Sequence, residues 1–232
     1  MNARSAATTV AELAAEQQGL VTTAQARAAG VSPQQVQRLA DAGALERVHH
    51  GIYRMARYPH DPHQRLRAAW IALDPGVFAW ERLDQDVPTG VVSHRSAAAL
   101  HGLGGIDADT MELTAARRIR LRLPDVRIHT GGLSREDWEL VHGIPATTAQ
   151  RTIADLAAAR IDGGHLADIV RDALERGLAT VPGLVRALAP SAFDYGHRLA
   201  DGEGFVRALV AEAGISQNIR DLARLAPGGG AA

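Results

Sequence analysis

The sequence predicts an α+β fold: a small helical head ending in a β-hairpin, then a mixed α/β domain with a small sheet flanked by helices. Three observations carry this expectation. Short helical patterns with cap residues fill the first 43 positions and run directly into two strand-like segments about a glycine. Period-two patterns of strand type then gather between residues 111 and 142. Helical spacing returns from residue 148 onward.

The first helix is expected from about Thr9 to Gln18, with Val10, Leu13 and Ala14 as its apolar stripe and Gly19 past its end. Thr22 or Thr23 caps a second helix, Ala24–Ala29, which Gly30 stops. Ser32 followed by Pro33 is a cap with proline at the first helical position. The third helix then runs through Gln34, Gln35, Val36, Gln37, Arg38, Leu39 and Ala40 and ends at Gly43. Leu45–Val48 and Ile52–Met55 read as two strands about His49, His50 and Gly51. Helix, helix, tight turn, helix and β-hairpin is the order of a winged helix-turn-helix.

Past the head, a helix is expected from about Asp61 to Asp74 and a buried one over Ser93–His101. Met111–Thr114 is a short strand. Arg118, Arg120 and Arg122 alternate with Ile119, Leu121 and Leu123 as a strand with one arginine face, and Val126–Thr130 is its hairpin partner. Leu140–His142 makes another strand. Helices follow at Thr148–Ala159, Gly164–Arg176 and Val181–Leu188, with two more over 203–213 and 217–225. The domain reading is 1–60 for the winged head, 61–190 for the α+β body, 191–226 for a helical extension and 227–232 for a disordered tail.

Composition narrows the chemistry. With 46% hydrophobic and 22% charged residues the chain has the makings of buried cores. It contains no cysteine, and all 25 basic residues are arginine. Disulfides, thiolate metal sites, a cysteine nucleophile, a Walker phosphate loop and a lysine Schiff base each lack a required part. No apolar run reaches the length of a membrane span and no signal-peptide order is seen, so a soluble cytoplasmic protein is expected. No cofactor and no metal are expected.

Charge is uneven. Residues 1–60 hold six arginines against four acids, and residues 61–232 hold 19 against 22. A basic head suits a nucleic acid. On the third helix, Gln34, Gln35, Gln37 and Arg38 can donate to base edges in a major groove, while Ser32 turns the helix N-terminus toward phosphate. Thr22 and Thr23 stand at the preceding helix start, and Arg47, His49, His50 and Arg54 place basic groups on the wing. A solvated helix surface is the plain alternative; the ordered set of helix-turn-helix, capped polar helix and basic hairpin favours DNA. Arg117, Arg118, Arg120, Arg122 and Arg127 form a second basic surface, for DNA or for an acidic protein face. His94 and His101, seven apart, suggest a shared metal only if a third ligand exists, and packing or capping is the commoner role. No catalytic constellation is found.

Several blocks carry a resemblance. Gly19-Leu-Val-Thr-Thr-Ala-Gln-Ala-Arg-Ala-Ala-Gly-Val-Ser, Val36-Gln-Arg-Leu, Gly43-Ala-Leu-Glu-Arg-Val and Gly51-Ile-Tyr-Arg look like the N-terminal domain of AbiEi-type antitoxins. So do Val92-Ser-His-Arg-Ser-Ala-Ala-Ala-Leu-His-Gly-Leu and Gly143-Ile-Pro-Ala-Thr-Thr-Ala-Gln-Arg-Thr-Ile-Ala-Asp-Leu. The resemblance implies a type IV, abortive-infection toxin–antitoxin system. In it the antitoxin represses its own operon through the winged helix, and the body helps to neutralise a nucleotidyltransferase-like toxin. The implied DNA contacts fall on Ser32, Gln34, Gln35, Gln37 and Arg38. The same blocks also resemble proteins that continue into a Vsr-like endonuclease, but residues 191–232 show no matching carboxylate cluster. The alternatives are a regulator whose body senses a small ligand and a nucleic-acid-processing enzyme using His94 and His101.

Overall fold

The structure is a computed structural model that describes residues 3–121 and 123–214. Along the chain run α1 (Ala3–Ala15), β1 (Leu20–Thr22), α2 (Thr23–Ala28), α3 (Pro33–Asp41), β2 (Leu45–His49), β3 (Ile52–Met55), α4 (Gln64–Ile71) and α5 (Ala79–Leu83). They are followed by β4 (Val91–Val92), α6 (His94–His101), β5 (Met111–Ala115), β6 (Val126–Thr130), β7 (Trp138–Val141) and β8 (Ile144–Thr147). The last described elements are α7 (Ala149–Ala158), α8 (Gly163–Glu175), α9 (Val181–Leu188) and α10 (Gly202–Glu212). Two compact units result, Met1–Val91 with Leu113–Arg135, and Val92–Glu112 with Glu136–Ala232.

In the first unit, Ala6, Val10 and Ala14 recur every fourth residue on α1 and so share one face. They pack with Val21, Ala26, Val31, Val36, Leu45 and Tyr53 in a single core. Strand β1 pairs antiparallel with β3, Leu20 opposite Arg54 and Thr22 opposite Ile52, and β2 pairs with the other edge of β3. The order β1-β3-β2 makes β3 central, and all four of its residues are buried. The wing turns at Gly51, whose φ of +74° suits a residue without a Cβ. Its carbonyl accepts from both the backbone N–H (2.9 Å) and the hydroxyl (3.2 Å) of Thr23, which ties the wing turn to the start of α2.

Residues 61–91 belong to this unit, although a boundary at 60 is the sequence expectation. The reason is a buried polar knot. Gln17 and Gln25, 3% and 2% exposed, exchange amide hydrogen bonds of 2.8 and 3.1 Å. Gln25 also donates to the Val77 carbonyl at 3.2 Å, and Gln17 accepts from the Ala79 N–H at 3.1 Å. Helix α4 is shorter than its expected span, and α5 has no counterpart in the sequence reading. Arg82 on α5 is fully buried, lies over the Trp70 ring at 3.8 Å and donates to the Trp70 carbonyl at 3.0 Å.

The arginine strand expected over 118–123 is not formed. The described residues of 116–125 make a connection, and β6 lies beside β5 rather than beside an arginine strand. Gly131 closes this pair by donating to Ala115 at 3.1 Å. The partner of β6 is instead β5, whose Leu113 and Ala115 are buried apolar residues, whereas a row of arginines carries no apolar side chains into a core.

In the second unit Val92 of β4 lies parallel to Ala146 of β8, and β7 runs antiparallel to β8 from Trp138↔Thr147 to Val141↔Ile144. Helices α7, α8, α9 and α10 bury Ile153, Leu156, Leu166, Ile169, Val170, Leu184, Leu188, Phe205 and Leu209 in one core. Thr148, Asp162, Thr180 and Asp201 cap the four helices through their side-chain oxygens. The helix expected over 203–213 is α10, and the one expected over 217–225 lies outside the described residues.

Candidate nucleic-acid interface

The geometry of α3 follows from its first turn. The Ser32 hydroxyl accepts from the Gln35 N–H at 3.3 Å, and the Gln35 amide oxygen accepts from the Ser32 N–H at 2.9 Å. This reciprocal box, with Pro33 at the first turn, fixes where the helix starts. Val36 is buried and Leu39 packs on the core, which turns Gln34, Gln37 and Arg38 outward as exposed side chains. Arg38 and Gln34 make no side-chain hydrogen bond or ion pair among the described residues; Gln37 donates to Asp41 at 2.8 Å.

The remaining sequence candidates divide by burial. Arg47 and His50 are exposed on the wing, and the Arg47 guanidinium donates to His50 Nδ1 at 2.7 Å. His49 is 9% exposed and faces the Arg65 carbonyl at 3.2 Å. Arg54, on the central strand, is 9% exposed and donates to the Tyr58 carbonyl and to Glu46, both at 2.5 Å. Thr22 is 1% exposed, caps α2 through its side-chain oxygen and donates to the Pro75 carbonyl at 2.5 Å. Thr23 is half-buried and bound to Gly51. The Gln35 amide oxygen is engaged by the Ser32 N–H, and its amide nitrogen is left for an outside partner. Thus Gln34, Gln37 and Arg38 on α3 and Arg47 and His50 on the wing are exposed, whereas Thr22, His49 and Arg54 serve the interior. Arg27 at the end of α2 and Arg57 after β3 are exposed cations that the motif reading passed over. Their signal was isolated charge at an element end, with no pattern around it.

On α4, Arg67 donates to Asp61 at 3.1 Å. Burial raises the Asp61 pKa, but hydrogen bonds from the His63 N–H and Arg67, with the charges of Arg67 and His63, hold it below the usual carboxylate value. Of the second basic surface, Arg117, Arg118, Arg120 and Arg127 are exposed, and Arg122 lies outside the described residues. Asp125, in the same connection, is paired with Arg65.

His94 and His101 stand at opposite ends of α6, about 10 Å apart along its axis at roughly 1.5 Å per residue, so they do not converge on one ion. His101 is buried and bonds through Nε2 to the Thr147 carbonyl at 2.8 Å. Glu112 accepts from the Arg95 N–H at 3.0 Å and so places its carboxylate at the N-terminus of α6. Among the described residues no group of three metal-ligating side chains occurs, and no helix is long and apolar enough to cross a membrane.

Comparison with solved structures finds the fold again in the RV2827C protein from Mycobacterium tuberculosis, at 18% identity and a TM-score of 0.53, covering 95% of this chain and 81% of that one. Comparison with curated proteins gives no match. Residues 9–56, which span most of α1, the capped α3 and the whole wing, match the family described as "Transcriptional regulator, AbiEi antitoxin", and over that segment the chain is similar to AbiEi-type antitoxin regulators.

Proposed function

We propose that the chain is a sequence-specific DNA-binding regulator of the antitoxin type, which represses its own operon and neutralises a nucleotidyltransferase-like toxin, without catalytic activity of its own. The observation that carries the DNA reading is the exposed set on α3 and the wing: Gln34, Gln37 and Arg38 on one helix face, with Arg47 and His50 on the wing. A helix of this kind fits a major groove, and a basic wing meets phosphate beside it. The antitoxin reading is supported by the family match over residues 9–56. The exposed arginines 117, 118 and 120 serve in this reading as a second contact, to DNA or to the toxin.

The test is fluorescence anisotropy on duplexes from the protein's own promoter and on shuffled controls, at several salt concentrations. Arg38→Ala is expected to weaken the promoter complex by about 1–3 kcal/mol more than the shuffled one. Equal losses on both duplexes would reduce Arg38 to a phosphate contact, and equal binding of both duplexes by the wild type would refute sequence-specific recognition. Growth rescue of cells expressing the product of the adjacent gene tests the antitoxin part.

A further inference from the structure

We propose that Asp41 sets the base preference of α3 by fixing which way the amide of Gln37 points; the inference rests on the DNA reading of α3. Gln37 and Asp41 are four residues apart on the same exposed helix face, and Gln37 Nε2 donates to Asp41 Oδ1 at 2.8 Å. An ionised carboxylate can only accept. The amide nitrogen must therefore face Asp41, and chemistry rather than an arbitrary choice of rotamer turns the Gln37 oxygen the other way.

This matters because a free glutamine is ambiguous. Its oxygen accepts from adenine N6–H or cytosine N4–H, while its nitrogen can donate to guanine O6 and N7 or thymine O4. With one of its two N–H groups held by Asp41 and its oxygen turned the other way, Gln37 presents an acceptor to the groove and asks for an amino base, adenine or cytosine. The neighbouring Arg38 has donors only and asks for an acceptor pair, as guanine offers. Adjacent readers with opposite demands make a discriminating pair. Gln35 is held in the opposite sense, because its oxygen accepts from the Ser32 N–H. Asp41 is otherwise out of place: an exposed carboxylate on a helix that approaches phosphates repels them.

The experiment selects binders from a pool of duplexes with a randomised centre, followed by sequencing and by anisotropy on the four base variants of each selected position. The wild type is expected to show one position where adenine or cytosine is preferred about tenfold over guanine and thymine. Asp41→Ala should cut that preference to less than about threefold, leave the other positions unchanged and bind random duplexes at least as tightly. Gln37→Ala should abolish the same preference, and the double variant should add nothing further, as expected for residues acting as one unit. Thermal melts of each variant accompany the selection. An unchanged pattern in Asp41→Ala overturns the proposal, and so does a parallel loss at every position with a lowered melting temperature, which would mark a helix-stabilising role. If the wild type selects no sequence at all, the DNA reading itself fails, and the proposal falls with it.

Discussion

Arg47 and Arg54 look alike in the sequence, both on the wing and both basic, yet the structure exposes one and buries the other. Arg54 sits on the central strand with its side chain 10% exposed, whereas its partner Glu46 is 55% exposed. Removing the guanidinium deletes a bond to the Tyr58 carbonyl and a charged bond to Glu46, each 2.5 Å long. Hydrogen bonds to charged groups contribute about 1.5–3 kcal/mol, but Glu46 regains water when released. The Arg54 Nε is already buried without a partner, and its removal returns part of the loss. Arg54→Ala should therefore destabilise the protein by roughly 1–3 kcal/mol, a melting shift of several degrees. Below that transition, its DNA affinity and salt dependence should match the wild type. Arg47→Ala should do the reverse: an unchanged melting temperature, weaker binding, and a log–log salt slope shallower by about 0.9 if one phosphate contact is lost. Urea denaturation and anisotropy on the same preparations decide the matter. If Arg54→Ala melts like the wild type but loses a unit of salt slope, the burial argument is refuted.

Four further outcomes follow from the same geometry. Gln25→Leu should destabilise the first unit by about 2–4 kcal/mol in urea, because Gln17, the Thr22 N–H and the Val77 carbonyl lose a buried partner together. Arg82→Met should leave stability unchanged or raise it: the guanidinium, its pKa lowered to about 10 chiefly by burial, keeps two buried nitrogens without partners. Replacing arginines 117, 118 and 120 together by Gln should leave the melting temperature within a degree or two; a DNA-contacting loop would flatten the salt slope by up to about 2.7, and a toxin-facing one would lose growth rescue instead. The Asp61 pKa is depressed in the folded state, so its stabilisation is present above the ordinary carboxylate range and is lost as pH falls through the folded value. Asp61→Asn should accordingly be less stable than the wild type at pH 7, with the gap closing in urea titrations as the pH falls below the ordinary carboxylate range.

The local elements were legible because their signals are local. Ser32 with Pro33, Thr148 and the Gly51 turn announce helix starts and a hairpin within a few residues, and the structure places α3, α7, α9 and the wing within one or two positions of the expectations. Strand β1, three residues long, is too short to show a period, and β8 carries Pro145, a residue that argues against a strand inside a sheet. The arginine alternation over 118–123 has the period of a strand, but a period records only which side chains could share a face. Whether a strand forms depends on a partner edge, and Leu113–Ala115 holds the edge beside β6.

The candidate site divides along the same line. By itself the sequence determined the turn, the caps and the polar face of α3, since Val36 and Leu39 alone orient that helix. Which polar residues face water was decided by the tertiary structure. Pairing of β1 and β2 with β3 buries Arg54, and docking of residues 75–79 on Gln17, Thr22 and Gln25 closes off the start of α2. A side chain's chemistry is written in one residue, but its exposure is set by segments distant along the chain that pack against it.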